Sequence, residues 1–154
     1  MGSEISGGIR NVTIRSCLMD NENWSPLRFK SQPSRGGTVE NITFEDITIK
    51  GARSIFDINM EWRMVPPISP AHYPLTCLRN IHFKNINGEA QSAGTMYGFK
   101  EAPFGNDTFF SENCHIKAQK GLSISNVANV NFKGLELEIK EGEKIYERSA
   151  NKDK

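Results

Sequence analysis

One short phrase recurs five times along this chain, and it restricts the possible folds more than any other feature. It reads Ile9-x-Asn11-Val12-x-Ile14-x-x-Cys17-x-Met19, then Val39-x-Asn41-Ile42-x-Phe44-x-x-Ile47-x-Ile49. It returns as Leu78-x-Asn80-Ile81-x-Phe83-x-x-Ile86, and as Val127-x-Asn129-Val130-x-Phe132-x-x-Leu135-x-Leu137. A weaker copy carries Thr108 in the Asn position, with Phe109, Cys114 and Ile116 at the matching offsets. A repeat at this period is the signature of a solenoid, in which no single unit can bury its own apolar face.

Counted from each Asn, apolar residues stand at +1 and +3, then at +6 and +8. A spacing of two is the strand period, and both side chains then face one side. The step from +3 to +6 breaks that period, so the chain must bend there. The bend holds Arg15-Ser16, Glu45-Asp46, Lys84-Asn85 and Lys133-Gly134, all suited to an exposed corner. Each phrase therefore predicts two short strands around one corner, without the i, i+3, i+4, i+7 pattern of a helix. Third strands are expected at 27–30, 55–58, 96–99 and 122–124. The anchor positions lie 30, 39, 28 and 21 residues apart, so the shortest gap is a bare coil and the longer ones carry loops. The largest insertion, 60–76, holds Trp62, Pro66, Pro67, Pro70 and Pro74. Proline cannot donate to a strand ladder, so this stretch reads as a loop projecting from the stack.

The predicted fold is all-β: a right-handed, single-stranded parallel β-helix of about five coils. It occupies residues 1–140, and a charged tail fills 141–154. The recurrent Asn has a structural reason, because it tolerates turn conformations and its amide can both donate and accept toward the adjoining coil. Asn11, Asn23, Asn41 and Asn106 also match the N-x-Ser/Thr pattern, at Asn11 and Asn41 because the repeat puts Thr at +2.

A formal charge of +1 gives no reason to expect nucleic acid, and no basic run with interleaved aromatics occurs. No apolar stretch approaches the roughly 18–20 residues of a membrane-spanning helix, so no membrane partner is expected. The start, Met1-Gly2-Ser3-Glu4, lacks the basic and apolar regions of a signal peptide. Three cysteines cannot all pair, and Cys17 and Cys114 sit at core offsets, which predicts buried thiols. Neither the cysteines nor the histidines show metal-ligand spacing, so neither a metal site nor a cofactor is expected.

The run Gly2-Ser3-Glu4-Ile5-Ser6-Gly7-Gly8-Ile9-Arg10-Asn11-Val12 is followed by Arg28-Phe29-Lys30 and by Arg35-Gly36-Gly37 with Val39-Glu40-Asn41-Ile42. Together they resemble glycoside hydrolase family 28, the polygalacturonase-like, pectin-degrading β-helices. The resemblance continues to Lys120-Gly121-Leu122-Ser123-Ile124-Ser125-Asn126-Val127. It implies inverting hydrolysis of a galacturonan, in which two carboxyl groups stand far enough apart to admit a water. In that family an Asn-Thr-Asp, an Asp-Asp pair and a His-Gly supply this chemistry. This chain has none of them: His72, His82 and His115 are each followed by another residue than Gly. The chain thus reads as the C-terminal half of such a domain, with no catalytic residue of its own. For the parent enzyme, the resemblance implies a secreted or periplasmic location.

The substrate-side pair implied by the resemblance is Arg28 and Lys30, two residues apart on a strand and so projecting to one face. Arg can grip a uronate carboxylate bidentately and Lys adds a point charge, which suits a galacturonan or pectin-type oligosaccharide. Arg35 is a rim candidate. Asp57, Glu61 and Glu45-Asp46 read as solvated carboxylates, while Trp62, His72 and Tyr73 could stack on sugar rings or pin the loop. Two other readings stay open: a non-catalytic carbohydrate-binding solenoid, and a purely structural one. A solenoid end exposes unpaired strand edges, and no polar cover precedes the first phrase. Self-association through the N-terminal coil is therefore expected.

Overall fold

The structure, a computed structural model, describes residues 1–20 and 23–148. Among these residues the chain forms strands and no helix. The strands are β1 (Ile9–Asp20), β2 (Leu27–Lys30), β3 (Thr38–Asn59), β4 (Cys77–Tyr97), β5 (Phe109–Glu112), β6 (Cys114–Ser125) and β7 (Leu135–Glu147). Every pairing is parallel, in one sheet ordered β1-β3-β4-β6-β7, with β2 on β3 and β5 on β4.

The register stacks phrase on phrase. Val12 lies beside Ile42, Ile42 beside Ile81, and Ile81 beside Phe109. Met19, Ile49, Gly88, Ile116 and Leu137 form another such column. A register slip of one residue would turn every apolar side chain outward, so the repeat itself holds the alignment. Third strands are present and align, Leu27–Lys30 against 56–59, then 94–97, then 122–125, but the one expected at 96–99 lies two residues earlier, since β4 ends at Tyr97.

The bends come from left-handed backbone. Asn11, Asn41, Asn80 and Asn129 have φ of 55–58°, and Ser16, Asp46, Asn85 and Asn113 have φ of 52–54°. That region costs most side chains about 1–2 kcal/mol but is tolerated by Asn and Asp. Each rung therefore turns twice, at the Asn and again five residues on. The side chains then form ladders: Asn41 Nδ2 donates to Asn11 Oδ1 (2.9 Å), and Asn80 Nδ2 to Asn41 Oδ1 (2.7 Å). A second ladder runs along the other corner, Asn85 Nδ2 to Asp46 Oδ1 and Asn113 Nδ2 to Asn85 Oδ1, both 2.9 Å. The corner read from sequence as merely exposed is thus a bonded column.

The interior is a row of aromatic rings. Phe83 is stacked against Phe44 (5.7 Å between centroids) and Phe109 (6.2 Å), and meets Phe56 edge-on at 5.1 Å. At Gly94, opposite Phe56, φ is +122° and a Cβ would lie 1.9 Å from the Phe56 carbonyl oxygen, so only glycine fits this rung. In β1, the inward residues Ile9, Val12, Ile14, Cys17 and Met19 are only half-buried, because β1 ends the strand order.

Two expectations are corrected. Residues 127–132 carry the phrase but form only a single bridge, Phe104 with Val127, and the strand starts at Leu135. Here the Lys133 N–H bonds the Asn131 side chain (2.8 Å) and the Leu135 N–H bonds the Phe132 carbonyl (3.0 Å), a local turn that competes with the ladder. The charged segment expected as a tail from 141 begins as strand. Glu141 pairs with Lys120, and Ile145, Tyr146 and Glu147 pair with Leu122, Ser123 and Ile124. The remaining tail, 149–154, lies outside the described residues.

Candidate saccharide-binding face

Alternation along β2 sets the orientation of the predicted pair. Leu27 and Phe29 are fully buried, while Arg28 and Lys30 are partly exposed on the outer face. The parallel register continues each outward position across the sheet, giving Arg28–Asp57–Thr95–Ser123 and Lys30–Asn59–Tyr97–Ser125. Both cations therefore head rows that are otherwise acidic or neutral.

Trp62 joins them. Its indole lies under both charges, 4.5 Å from Lys30 Nζ and 5.1 Å from the Arg28 guanidinium carbon. Such a contact contributes about 0.5–2 kcal/mol, more as the cation is desolvated. Asp57 Oδ2 stands 2.6 Å from Arg28 Nε, an ion pair by distance, yet Nε makes no hydrogen bond because the N–H is not aimed at the oxygen. The Asp57 carboxylate thus compensates the Arg28 charge. Burial, and then the charges of Lys30 and Arg28, push the Met1 amine below its ordinary value; that amine donates to the Arg28 carbonyl at 2.6 Å.

The Pro-rich segment places Trp62. It was expected to project, but it is folded back on residues 31–36. Trp62 N–H bonds the Ser31 carbonyl (2.8 Å), Gln32 Nε2 donates to the carbonyls of Val65 (3.1 Å) and Pro66 (3.2 Å), and Ile68 N–H donates to Ser34 Oγ (3.0 Å). At its far end Thr76 Oγ1 donates to the Arg35 carbonyl (2.8 Å) and lies 2.7 Å from Ser31 Oγ. Ser31, Gln32, Ser34 and Thr76 are all buried, and buried polar groups demand such partners.

Beside this cluster the face opens into a cleft of about 420 Å³, lined by Trp24, Arg28, Arg53, Ser54, Asp57, Trp62 and Thr95 among others. A cleft with aromatic walls, paired charges and a hydroxyl-bearing floor is suited to a sugar chain.

The model of glycosyl hydrolases family 28 matches residues 1–134, which takes in both cations, Trp62 and the whole cleft. The chain belongs to glycosyl hydrolases family 28. Parallel strands in one sheet fit the β-helix of this family. Membership supports a polygalacturonase-like glycoside hydrolase. Neither a curated protein nor a solved structure matches it.

For this family 28 chain the other sequence-stated candidates fall differently. Arg35 does not line the cleft; its side chain is 13% exposed and Nη2 bonds Glu4 Oε1 at 3.0 Å, while its buried Nε is unpartnered. His72 is exposed and outside the cleft, its N–H held by the Ser34 carbonyl at 2.9 Å. Tyr73 is 79% exposed, also outside it. Glu61 donates its N–H to Asn59 Oδ1 (2.8 Å), and Asp46 belongs to the corner ladder. Sequence reasoning missed Trp24 and Arg53. Alternation gave no signal for Arg53, which is exposed although it shares the parity of the fully buried Ile55.

Proposed function

We propose that this chain is the galacturonan-holding part of a family 28 hydrolase, built as a right-handed β-helix of about five coils. Arg28 and Lys30 take a uronate carboxylate, and Trp62 holds the two cations side by side. The observation that carries the reading is the single indole shared by both charges, on the outer face of a family 28 sheet. Two neighbouring cations repel, and the aromatic ring under both, together with the Asp57 carboxylate beside Arg28, offsets that repulsion. Arg35 contributes at the rim by fixing the Glu4 segment. The hydrolysis in the parent is inverting, and its acid and base are not among these residues: the sequence contains no Asp-Asp, Asn-Thr-Asp or His-Gly.

Retention on immobilised polygalacturonate tests the binding. Arg28→Ala weakens retention by about 1–3 kcal/mol, as expected for a lost charge-assisted contact. Equal retention of variant and parent would leave the structural reading standing instead. Incubation with polygalacturonate releases no reducing ends; turnover abolished by a single Asp substitution within this chain would overturn that part.

A further inference from the structure

The cleft that Arg28 and Trp62 line also holds a cation that the proposed binding does not use. Arg53 is exposed and lines the cleft, and among the described residues its guanidinium has neither an ion pair nor a hydrogen bond. Arg28, by contrast, has Asp57 at 2.6 Å. Trp24, 61% exposed, stands on the neighbouring rung, and its carbonyl accepts the Arg53 N–H at 3.2 Å. That backbone contact ties the indole and the free guanidinium to one place. The rest of the lining includes the hydroxyl side chains of Ser25 (bonded to Ser54), Ser92 and Thr95, and Asp57, whose carboxylate is paired with Arg28.

An exposed indole in a polar cleft is a platform for the apolar face of a sugar ring. An unpaired arginine at its edge is a fork for a carboxylate. Serine and threonine hydroxyls, each donor and acceptor, match sugar hydroxyls. A neutral sugar would use the indole and the hydroxyls but leave the guanidinium idle. A compact phosphate would use the guanidinium and leave the indole idle. A sugar acid uses all three.

We infer that the Trp24–Arg53 cleft is a second carboxylate subsite, which takes another uronate residue of the same acidic chain that Arg28 and Lys30 hold. Arg53 grips its carboxylate and Trp24 lies against its ring. This rests on the proposed galacturonan binding, and the two are separable by variant.

The test is calorimetric titration of the full chain with digalacturonate and with a longer galacturonate oligomer. Arg53→Gln weakens the longer oligomer at least tenfold and leaves digalacturonate within about twofold, whereas Arg28→Ala weakens both. Trp24→Phe, which keeps a smaller ring, weakens the longer oligomer by less than Arg53→Gln. Full methyl esterification of the longer oligomer erases the difference between the parent and Arg53→Gln. Matching circular-dichroism melts of parent and variants show that the fold is retained. If Arg53→Gln binds the longer oligomer like the parent while Arg28→Ala does not, the second subsite is wrong and the proposed function stands. If Arg53→Gln weakens binding while Arg28→Ala has no effect, the subsite stands and the role of Arg28 falls. No binding of either oligomer by the parent overturns both.

Discussion

Asn41 is the position at which the logic of the repeat can be measured. Its backbone is left-handed, with φ of 56°, and its side chain both donates to Asn11 and accepts from Asn80. Two effects are therefore superimposed on one residue. The two side-chain bonds are exposed, and each contributes at the low end of the usual net value, about 0.5 kcal/mol, or about 1 kcal/mol together. The conformation adds a separate term, because alanine at this φ costs about 1–2 kcal/mol and glycine avoids it. Asn41→Ala should thus destabilise the chain by about 2–3 kcal/mol and Asn41→Gly by about 1 kcal/mol, after summing these contributions. Urea unfolding followed by circular dichroism reads the difference as a shift in midpoint at constant slope. In a melt, each kcal/mol corresponds to roughly 2–4 °C for a chain near this size. If glycine is as damaging as alanine, the backbone argument for the recurrent Asn is wrong. If neither variant shifts the midpoint, the ladder carries no weight either.

Other outcomes follow from the core, the surface charges and the thiols. Phe83→Ala removes the ring at the centre of the aromatic row and should cost about 3–5 kcal/mol, since the middle rung cannot collapse into the gap; a loss under about 1 kcal/mol in the same urea assay would contradict the packing. Glu40 bonds both Arg10 and Arg79 at 2.6 Å, and these bonds hold its carboxyl below the ordinary 4.5. A folded-state value below the unfolded one means stability that is present above pH 4.5 and lost as pH falls through the lower folded value. The stability gap between the parent and Glu40→Gln should therefore close on acidification, and a gap that widens there would refute the assignment. Cys77 is exposed and Cys114 is buried with its thiol pushed up by burial. Mass spectrometry after alkylation should find Cys77 modified in the native state and Cys114 only after unfolding; equal rates would contradict the buried assignment.

Much of this architecture was legible in the residues because it is periodic. The offsets of Ile42, Phe44, Ile47 and Ile49 announce two strands and a bend without reference to anything distant. The parity of Arg28, Phe29 and Lys30 announces which side chains face out. Where the reading failed, a local competitor or a composition bias intervened. Asn131 drew the backbone of the last phrase into a turn. The many charges after Glu141 concealed the inward Ile145 of β7.

The sequence by itself determined a parallel, all-β stack with Asn at its corners and a cationic pair on its outer face. These follow from spacing along the chain, and spacing is a local property. Only the tertiary structure decided what those charges meet: Trp62 under Arg28 and Lys30, Asp57 beside Arg28, Glu4 on Arg35, and Trp24 next to Arg53. Most of these contacts join residues tens of positions apart, through loops with no repeat of their own. Strand register brings Asp57 to Arg28, and the buried hydrogen bonds of Gln32 and Ser34 bring the Trp62 loop home. The pattern of a solenoid specifies its rungs, while the chemistry on its face depends on which rung lies next to which and how each loop closes.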